Sequence, residues 1–447
     1  MAKIGFISLG CPKNQVDSEV MIGLLERNNH QVTPDATEAE VIVVNTCSFI
    51  NDAKKESIQA ILEAGRLKET GQCRRLVIAG CLPERYASAI YTEFPEADVV
   101  LGVNQLTEIV HAVGGKDIPA PDSYGRGDAK LFLYDHETPR HLIGPKYSAY
   151  MKVAEGCDHS CAFCVIPKIR GRFRSRNIPS LAEEARRLAA NGVKEITLVA
   201  QDTTGYGSDL GMEDGLACLL EILDKVEGIE WIRFLYAYPD AFSDKLMRVI
   251  SESEKICRYI DMPLQHVSAT VLKSMRRGGS RGGLSRMIER IRRGISGVTL
   301  RTTFIVGFPG ETGSDFRELK DFCCEMEFDR MGIFTYSDED GVPAFDLYPK
   351  VPARTAKERR RILMDQQEKI AARKNRELVG SELRILVEGT SSESDLLMQG
   401  RLESQAPEID GVCLINDSDV EDIKNGDFRT IKITRAMVHD LLGTIVR

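Results

Sequence analysis

The chain has 447 residues, of which 43% are hydrophobic and 28% charged. This composition excludes disordered and collagen-like proteins, and at about 100–200 residues per domain the length predicts two to four domains. The net charge of −8 argues against a chain that mainly coats nucleic acid. No run approaches the roughly 18 apolar residues of a membrane span, and the start of the chain does not read as a secretion signal, so we expect a cytoplasmic protein with no membrane partner.

The first part of the chain alternates short apolar, β-branched runs with helical patterns. The runs are at 3–9, 41–45, 75–80 and 98–102. Such alternation predicts a parallel sheet covered by helices. We place this N-terminal domain at 1–117, and a stretch rich in Gly, Pro and Asp predicts a linker at 118–146.

Six further strand–helix units predict a partial TIM-type barrel, in which the chemistry lies at the C-terminal ends of the strands. With a connecting helix this domain covers 147–376. The helix, at 354–377, is dense in charge. Its arginines at 359–361 could contact a polyanion, but a solvated linker helix is the favoured interpretation. Five short strands after Gly380 predict a small β-barrel at 377–447. The predicted fold class is therefore α/β with a C-terminal β-barrel.

The strongest chemical signal is the group Cys157, Cys161 and Cys164, which follows the first strand of the predicted barrel. Twelve cysteines in a cytosolic chain do not make a disulfide framework, because that compartment keeps thiols reduced. Thiolates are the soft ligands of iron–sulfur clusters and zinc. Three at this spacing can hold three corners of a [4Fe–4S] cluster and leave the fourth iron open. Zinc would need a fourth ligand, for which His159 is the nearest candidate.

A second group, Cys11, Cys47 and Cys81, falls at the C-terminal ends of three predicted parallel strands. Ligands of parallel sheets bind at that edge, so three thiols there can converge on one site. Cys73 lies at the opposite end of its strand and is not expected to join them. The alternative is that the three are independent small core residues.

The CxxxCxxC spacing resembles that of radical S-adenosylmethionine (SAM) enzymes, and both groups together resemble the methylthiotransferases among them, over essentially the whole chain. The stretches that carry the resemblance are 8–19, 45–50, 79–85, 155–171, 262–268 and 306–312. It implies an N-terminal methylthiotransferase domain, a radical SAM barrel and a C-terminal TRAM barrel. It also implies two [4Fe–4S] clusters, the first on Cys11, Cys47 and Cys81. The second, on Cys157, Cys161 and Cys164, would bind SAM.

The stretches at 10–19 and 155–164 look most like the branch that modifies an aspartate of ribosomal protein twelve of the small subunit. The resemblance thus implies methylthiolation of an aspartate β-carbon, with a reducing electron donor and a sulfur donor as further partners. Nucleic acid is then not expected as direct substrate. The alternatives are a methylthiotransferase acting on isopentenyl-adenosine in tRNA and a non-enzymatic iron–sulfur scaffold.

Four residues after an apolar strand, Gly307, Pro309, Gly310 and Glu311, match a SAM-contacting stretch of radical SAM barrels, although a plain strand-to-helix turn is the alternative. Gln265 and His266 either line the substrate cavity or are structural. No side chain is expected to act as a catalytic acid or base. We expect the basic stretch at 276–281 to be a mobile solvated loop, with a substrate or cofactor contact as the alternative. Five further cysteines are predicted to be structural: Cys218, Cys257, Cys323, Cys324 and Cys413.

The predicted C-terminal barrel is acidic, with seven Lys or Arg against thirteen Asp or Glu from 381 to 447. A barrel that gripped RNA would carry a basic groove, because phosphate neutralisation supplies most of such affinity. The charge therefore favours a basic protein partner, and we expect the ribosomal protein to bind here.

Overall fold

A computed structural model describes residues 1–119, 121, 132–391 and 394–446. The predicted linker at 118–146 lies partly outside the described residues. Within the described part, no helix is both long and apolar enough to cross a membrane. The domain boundaries at 117, 146 and 376 stay predictions.

The N-terminal part is a five-stranded parallel sheet with helices on both faces. Its strands are β1 (Lys3–Ser8), β2 (Gln31–Thr33), β3 (Val41–Thr46), β4 (Arg75–Gly80) and β5 (Val99–Leu101). Its helices are α1 (Pro12–Arg27), α2 (Asn51–Thr70), α3 (Cys81–Glu93) and α4 (Ile109–Val113). The strand order is β2-β1-β3-β4-β5, so β1, β3 and β4 are neighbours. Every residue of β3 is buried, as a strand covered on both faces requires.

The central part contains six parallel strands in two three-stranded sheets, β10-β9-β6 and β11-β12-β13, joined by a bridge from Ile232 to Ile256. Its strands are β6 (Ser148–Lys152), β7 (Ala154–Glu155), β8 (Arg174–Ser175), β9 (Glu195–Val199), β10 (Trp231–Phe234), β11 (Tyr259–Asp261), β12 (Thr299–Val306) and β13 (Arg330–Thr335). Its helices are α5 (Ile166–Arg170), α6 (Ile178–Ala190), α7 (Gly215–Leu223), α8 (Asp244–Glu252), α9 (Ala269–Ser274), α10 (Arg281–Gly294) and α11 (Gly313–Met326). This is the predicted partial barrel, and the short hairpin of β7 and β8 is an addition to it.

The C-terminal part is a closed five-stranded barrel with the order β14-β15-β16-β18-β17. It follows the long helix α12 (Ala353–Glu377). Its strands are β14 (Glu382–Thr390), β15 (Met398–Leu402), β16 (Cys413–Ser418), β17 (Phe428–Ala436) and β18 (Leu441–Val446). One buried apolar cluster contains Val20 of α1, Trp231 of β10 and Leu386 of β14. The three parts therefore share a core.

The expectation that α12 is a solvated linker is wrong. Leu363 and Ala371 of this helix are buried, and two of the three arginines hold it to the central barrel. The Arg359 guanidinium lies 3.0 Å from Glu311 Oε1, and the Arg360 Nε donates to the Ile333 carbonyl oxygen at 3.0 Å. Only Arg361 forms its salt bridges within the exposed face of the helix. A charge-dense helix sequence suggests solvent exposure, but long basic side chains can also bind carbonyl and carboxylate oxygens of a neighbouring domain.

Candidate functional site

The structure brings Cys11, Cys47 and Cys81 to one edge of the N-terminal sheet. Cys47 directly follows β3, Cys81 directly follows β4 and opens α3, and Cys11 is the N-cap of α1 after β1. Because these three strands are neighbours, the thiols lie at adjacent strand ends. Cys73 precedes β4 and lies at the opposite edge, where its Sγ donates to the Arg75 carbonyl oxygen at 3.3 Å.

A glycine allows the loops of this triad to approach one another. Gly10 has a φ of +94°, and a Cβ there would lie 2.8 Å from the Cys47 Cβ and 3.2 Å from its Sγ. Only a residue without a side chain fits this backbone conformation and this spacing. The Ser48 hydroxyl donates to the Cys81 carbonyl oxygen at 2.9 Å, which ties the second and third loops together.

Burial raises the pKa of the Cys81 thiol to about 12, although the Arg170 guanidinium opposes this, and the neighbouring Cys47 and Cys11 raise it further. Burial likewise raises the pKa of Cys47. The Arg170 Nη2 donates to the Cys81 Sγ at 3.3 Å. Two buried thiols and the partly exposed Cys11, with an adjacent cation, fit an iron–sulfur cluster, because bound iron stabilises the thiolates that burial alone disfavours.

Cys157, Cys161 and Cys164 lie in the loop between β7 and α5, at the C-terminal end of the first barrel strand. The Cys157 N–H donates to the Gly171 carbonyl oxygen at 3.1 Å, which folds the loop back on itself. Burial raises the pKa of Cys157 to about 11 and of Cys164 to about 12. This donor set also fits a cluster.

A cation accompanies this second triad as well. The Arg277 Nη1 lies 3.8 Å from the Cys161 Sγ, and the guanidinium covers the Tyr238 ring at 4.4 Å. The prediction that 276–281 is only a solvated loop is therefore wrong at Arg277, because this side chain packs under the loop and donates to the Pro263 carbonyl oxygen at 3.0 Å.

The zinc alternative required His159 as the fourth ligand, but the side chain of His159 contacts other residues. Its Nε2 lies 2.7 Å from Asp202 Oδ2, and its ring stacks on Tyr238 with centroids 3.8 Å apart. Among the residues that the structure describes, no three His, Cys, Asp or Glu side chains are grouped so as to share one metal ion. That finding concerns single ions, since a cubic cluster spreads its ligands over different irons.

The predicted SAM stretch forms the turn between β12 and α11. The Glu311 carboxylate accepts hydrogen bonds from the Gly307 and Phe308 N–H groups, the latter at 3.1 Å. A Cβ on Gly307 would lie 2.5 Å from the Ala356 Cβ of α12, so packing explains this glycine. A role of Gly307, Pro309, Gly310 and Glu311 in SAM binding stays a prediction. His266 is fully buried and its Nδ1 accepts from the Ser268 N–H at 3.1 Å, which favours a structural role.

A buried ionic network joins the two triads. Arg170, at the end of α5, donates to Asp17 Oδ2 at 2.7 Å as well as to Cys81 of the N-terminal domain. Asp17 also accepts from Lys152 of β6, and the Lys152 Nζ lies 2.6 Å from Glu155 Oε2. Because Glu155 is two residues before Cys157, the network fixes the loop of one triad against the loop of the other.

A second contact docks the same two domains through the loop after β13. Glu339 accepts from the Lys54 Nζ at 2.7 Å and from the Arg85 Nη1 at 2.9 Å. Asp340 accepts from the Arg85 Nη2 and the Tyr86 hydroxyl, both at 2.6 Å. Lys54 lies on the helix that follows Cys47, and Arg85 on the helix that Cys81 opens. Both cysteine-bearing loops are therefore held at the barrel mouth.

Sequence reasoning missed Arg170, Asp17 and Glu339. The structure reveals their surroundings in α1, where the polar residues 13, 14 and 17–19 are all buried. A helix with a buried polar face indicates an interface with a charged partner. The remaining cysteines lie away from both triads, and Cys257, Cys323 and Cys413 are buried while Cys324 is exposed.

Three family models match the chain. The model of the uncharacterized protein family UPF0004 matches residues 3–102, that of the radical SAM superfamily matches 151–323, and that of the TRAM domain matches 379–446. Among solved structures, the radical S-adenosylmethionine methyltransferase TsrM from Kitasatospora setae is similar, with a TM-score of 0.54, 16% identity and coverage of 75% of each chain. At this identity the likeness shows the fold alone. Fold and models together define a radical SAM enzyme with a C-terminal TRAM domain.

Full-length curated relatives identify the family within this class. The chain is 52% identical, over 99% of its length and 95% of the relative's, to the ribosomal protein uS12 methylthiotransferase RimO of Solibacter usitatus. It is 46% identical to the RimO of Koribacter versatilis, over 99% of this chain and 96% of that one. The chain belongs to the RimO family of radical SAM methylthiotransferases.

Proposed function

We propose that this chain methylthiolates the β-carbon of an aspartate in ribosomal protein uS12. The observation that carries the proposal is that the Arg170–Asp17–Lys152 network joins the loops of the two cysteine triads. The relatives' names refer to uS12 and so favour the ribosomal protein over tRNA as substrate. Action in the cytoplasm, with a reducing electron donor and a sulfur donor, is part of the proposal.

Each triad would hold one [4Fe–4S] cluster with an open iron. SAM bound at Cys157, Cys161 and Cys164 would supply, on reduction, a radical able to remove hydrogen from an unactivated carbon. The protein's own part is to bind the cofactors and the substrate, to orient them, and to exclude water from the site. Arg277 and Arg170 place a positive charge beside each triad, and the buried network keeps the two loops in register. The site at Cys11, Cys47 and Cys81 would deliver the sulfur, and a second SAM would give the methyl group.

Iron content tests the number of clusters. Replacing Cys157, Cys161 and Cys164 with Ala should leave about half of the iron of the reconstituted chain, and so should the same change at Cys11, Cys47 and Cys81. The control Cys73→Ala should leave the iron unchanged. A triple variant that keeps all of its iron, or loses all of it while folded, would contradict the assignment.

Product analysis tests the division of labour. The variant without the N-terminal triad should still cleave SAM to 5′-deoxyadenosine under reduction, because the barrel triad is intact, but it should form no methylthiolated uS12. Normal product formation by this variant would refute sulfur delivery. Absence of 5′-deoxyadenosine from the wild-type chain would instead favour a non-enzymatic iron–sulfur scaffold.

A further inference from the structure

Lys13 extends from the N-terminal domain into the mouth of the barrel. It lies in the first turn of α1, two residues after Cys11, and only 7% of its surface is exposed. Its Nζ lies 3.4 Å from the carbonyl oxygen of Ala200, which follows β9. The same atom lies 3.4 Å from the centre of the Tyr236 ring, which follows β10. The ammonium therefore sits between the N-terminal sheet edge and two strand ends of the barrel.

Lys13 differs from every other buried basic residue in the described ranges. The buried Lys and Arg side chains are Lys13, Lys152, Arg170, Arg176, Arg233 and Arg401. All but Lys13 have a carboxylate within salt-bridge distance. A buried ammonium without a counter-ion has lost its hydration, and one carbonyl and one ring replace only part of it. This position is therefore suited to an anion that comes from outside the chain.

The backbone beside Lys13 also has the mark of a binding site. Tyr236, whose ring lies against the Lys13 Nζ, has a φ of +64°, and Gln265, which follows β11 in the same barrel, has a φ of +70°. Such left-handed conformations are costly for residues other than glycine and cluster at ligand sites. The Asp261 Oδ2 accepts the Tyr236 N–H at 3.1 Å and so helps to hold this conformation.

We propose that Lys13 is a specificity-determining residue that binds the side-chain carboxylate of the substrate aspartate. This inference rests on the proposed function and deepens it. The β-carbon to be modified is bonded to the carboxyl carbon. A carboxylate held by Lys13 therefore keeps that β-carbon next to the ends of β9 and β10 and close to the sheet edge that carries Cys11. An asparagine or a nucleobase at the same place would leave the ammonium without a counter-ion.

Two other anions could serve Lys13, namely the methionyl carboxylate of SAM and the thiolates of a cluster. Each triad already has a cation of its own, since Arg170 contacts Cys81 and Arg277 approaches Cys161. The contacts of Lys13 are instead with the barrel strand ends. This distribution favours the substrate carboxylate, and the experiment separates the three sources.

The test compares equilibrium binding of uS12, and of uS12 with its target aspartate changed to Asn, to the unreduced, cluster-loaded full chain. We expect the wild-type chain to bind the Asp form about tenfold tighter than the Asn form, as a charge-assisted hydrogen bond warrants. Lys13→Gln should lose about tenfold for the Asp form and leave the Asn form unchanged. Lys13→Arg should retain the preference. The matched control is Lys55→Gln, which removes an exposed charge from the same domain and should retain it too.

The wild-type chain alone can overturn the inference, if it binds both forms equally, so the test does not depend on the folding of a variant. An equal loss for both forms in Lys13→Gln would also overturn it. So would a tenfold loss of SAM binding, or a loss of iron, with the Asp preference unchanged. A preference for the Asp form without any methylthiolated product would contradict the proposed function alone and leave the carboxylate site standing.

Discussion

Gly10 is the residue on which the close approach of Cys11 and Cys47 depends. Replacing it with Ala should cost about 1–3 kcal/mol in backbone strain and also displace Cys47, because a Cβ would lie 3.2 Å from its Sγ. We therefore expect less iron per chain from Gly10→Ala. The control is Gly144→Ala, which has a similar φ of +97° and no atom within 4 Å of the added Cβ. Equal iron content in the two variants would show that the contact with Cys47 is unimportant.

At the residue scale, the sequence predicts where the thiols lie relative to the strands, but it does not predict which groups the buried charged side chains contact. The position of Cys47 and Cys81 after buried strands follows from local pattern, because the carboxyl ends of parallel strands share an edge. The roles of Arg170 and Lys13 depend on contacts with distant parts of the chain: Arg170 contacts Asp17, and Lys13 contacts Ala200. Nothing local in the chain specifies such pairs, so their roles needed the structure.

The loop after β13 is the element that couples the N-terminal domain to the barrel. Replacing Glu339 with Ala leaves the side chains of Lys54 and Arg85 without their shared carboxylate, a change that costs about 3 kcal/mol for a buried pair. We expect the variant to cleave SAM normally but to form severalfold less methylthiolated product per SAM cleaved. The ratio of 5′-deoxyadenosine to product measures this.

Asp338→Ala is the matched control for that experiment. Asp338 lies one residue away in the same loop, is half exposed, and pairs with Lys350 of the barrel domain rather than with the N-terminal domain. Its loss should leave the ratio of product to 5′-deoxyadenosine unchanged. If both variants uncouple the reaction equally, the loop acts through its own conformation and not through the contact with Lys54 and Arg85.

The pair of Glu195 and Arg401 joins β9 of the central barrel to β15 of the C-terminal barrel. Burial alone would raise the pKa of Glu195, but the Arg401 guanidinium, 2.5 Å away, lowers it to about 2. Arg401→Met should therefore destabilise the chain by about 3 kcal/mol in denaturant unfolding. The half-exposed pair of Arg384 and Glu230 joins the same parts, and Arg384→Met should cost at most about 1 kcal/mol. Similar losses would mean that burial of Glu195 does not matter.

Among the elements, the strongly apolar strands were predictable from the sequence, but the packing of helix α12 on the central barrel was not. The buried run of β3 and the six barrel strands follow from β-branched composition. The three-residue β2 is too short to give such a pattern. The position of α12 along the chain was predicted correctly, but its solvated environment was not, because Arg359 and Arg360 contact oxygen acceptors on the barrel.

Over the whole molecule, negative charge is concentrated at the C-terminal barrel, which has seven Lys or Arg against thirteen Asp or Glu. Four acids at 417–422 are exposed, namely Asp417, Asp419, Glu421 and Asp422. In the described ranges none of the four has a basic side chain within salt-bridge distance. A basic protein partner gains from this surface, whereas RNA is repelled by it.

Changing these four acids to Lys should therefore weaken binding of uS12 to the full chain, most at low salt, where charge is least screened. The matched control reverses four exposed acids on the outside of the central barrel that form no salt bridge with any described residue: Glu227, Glu254, Glu289 and Asp321. Affinities for uS12 and for tRNA, measured side by side at low and high salt, distinguish the surfaces. Because both variants change the net charge equally, a larger loss at 417–422 locates the uS12 contact there. Tighter binding of the wild-type chain to tRNA than to uS12 would overturn the choice of substrate and leave the radical chemistry untouched.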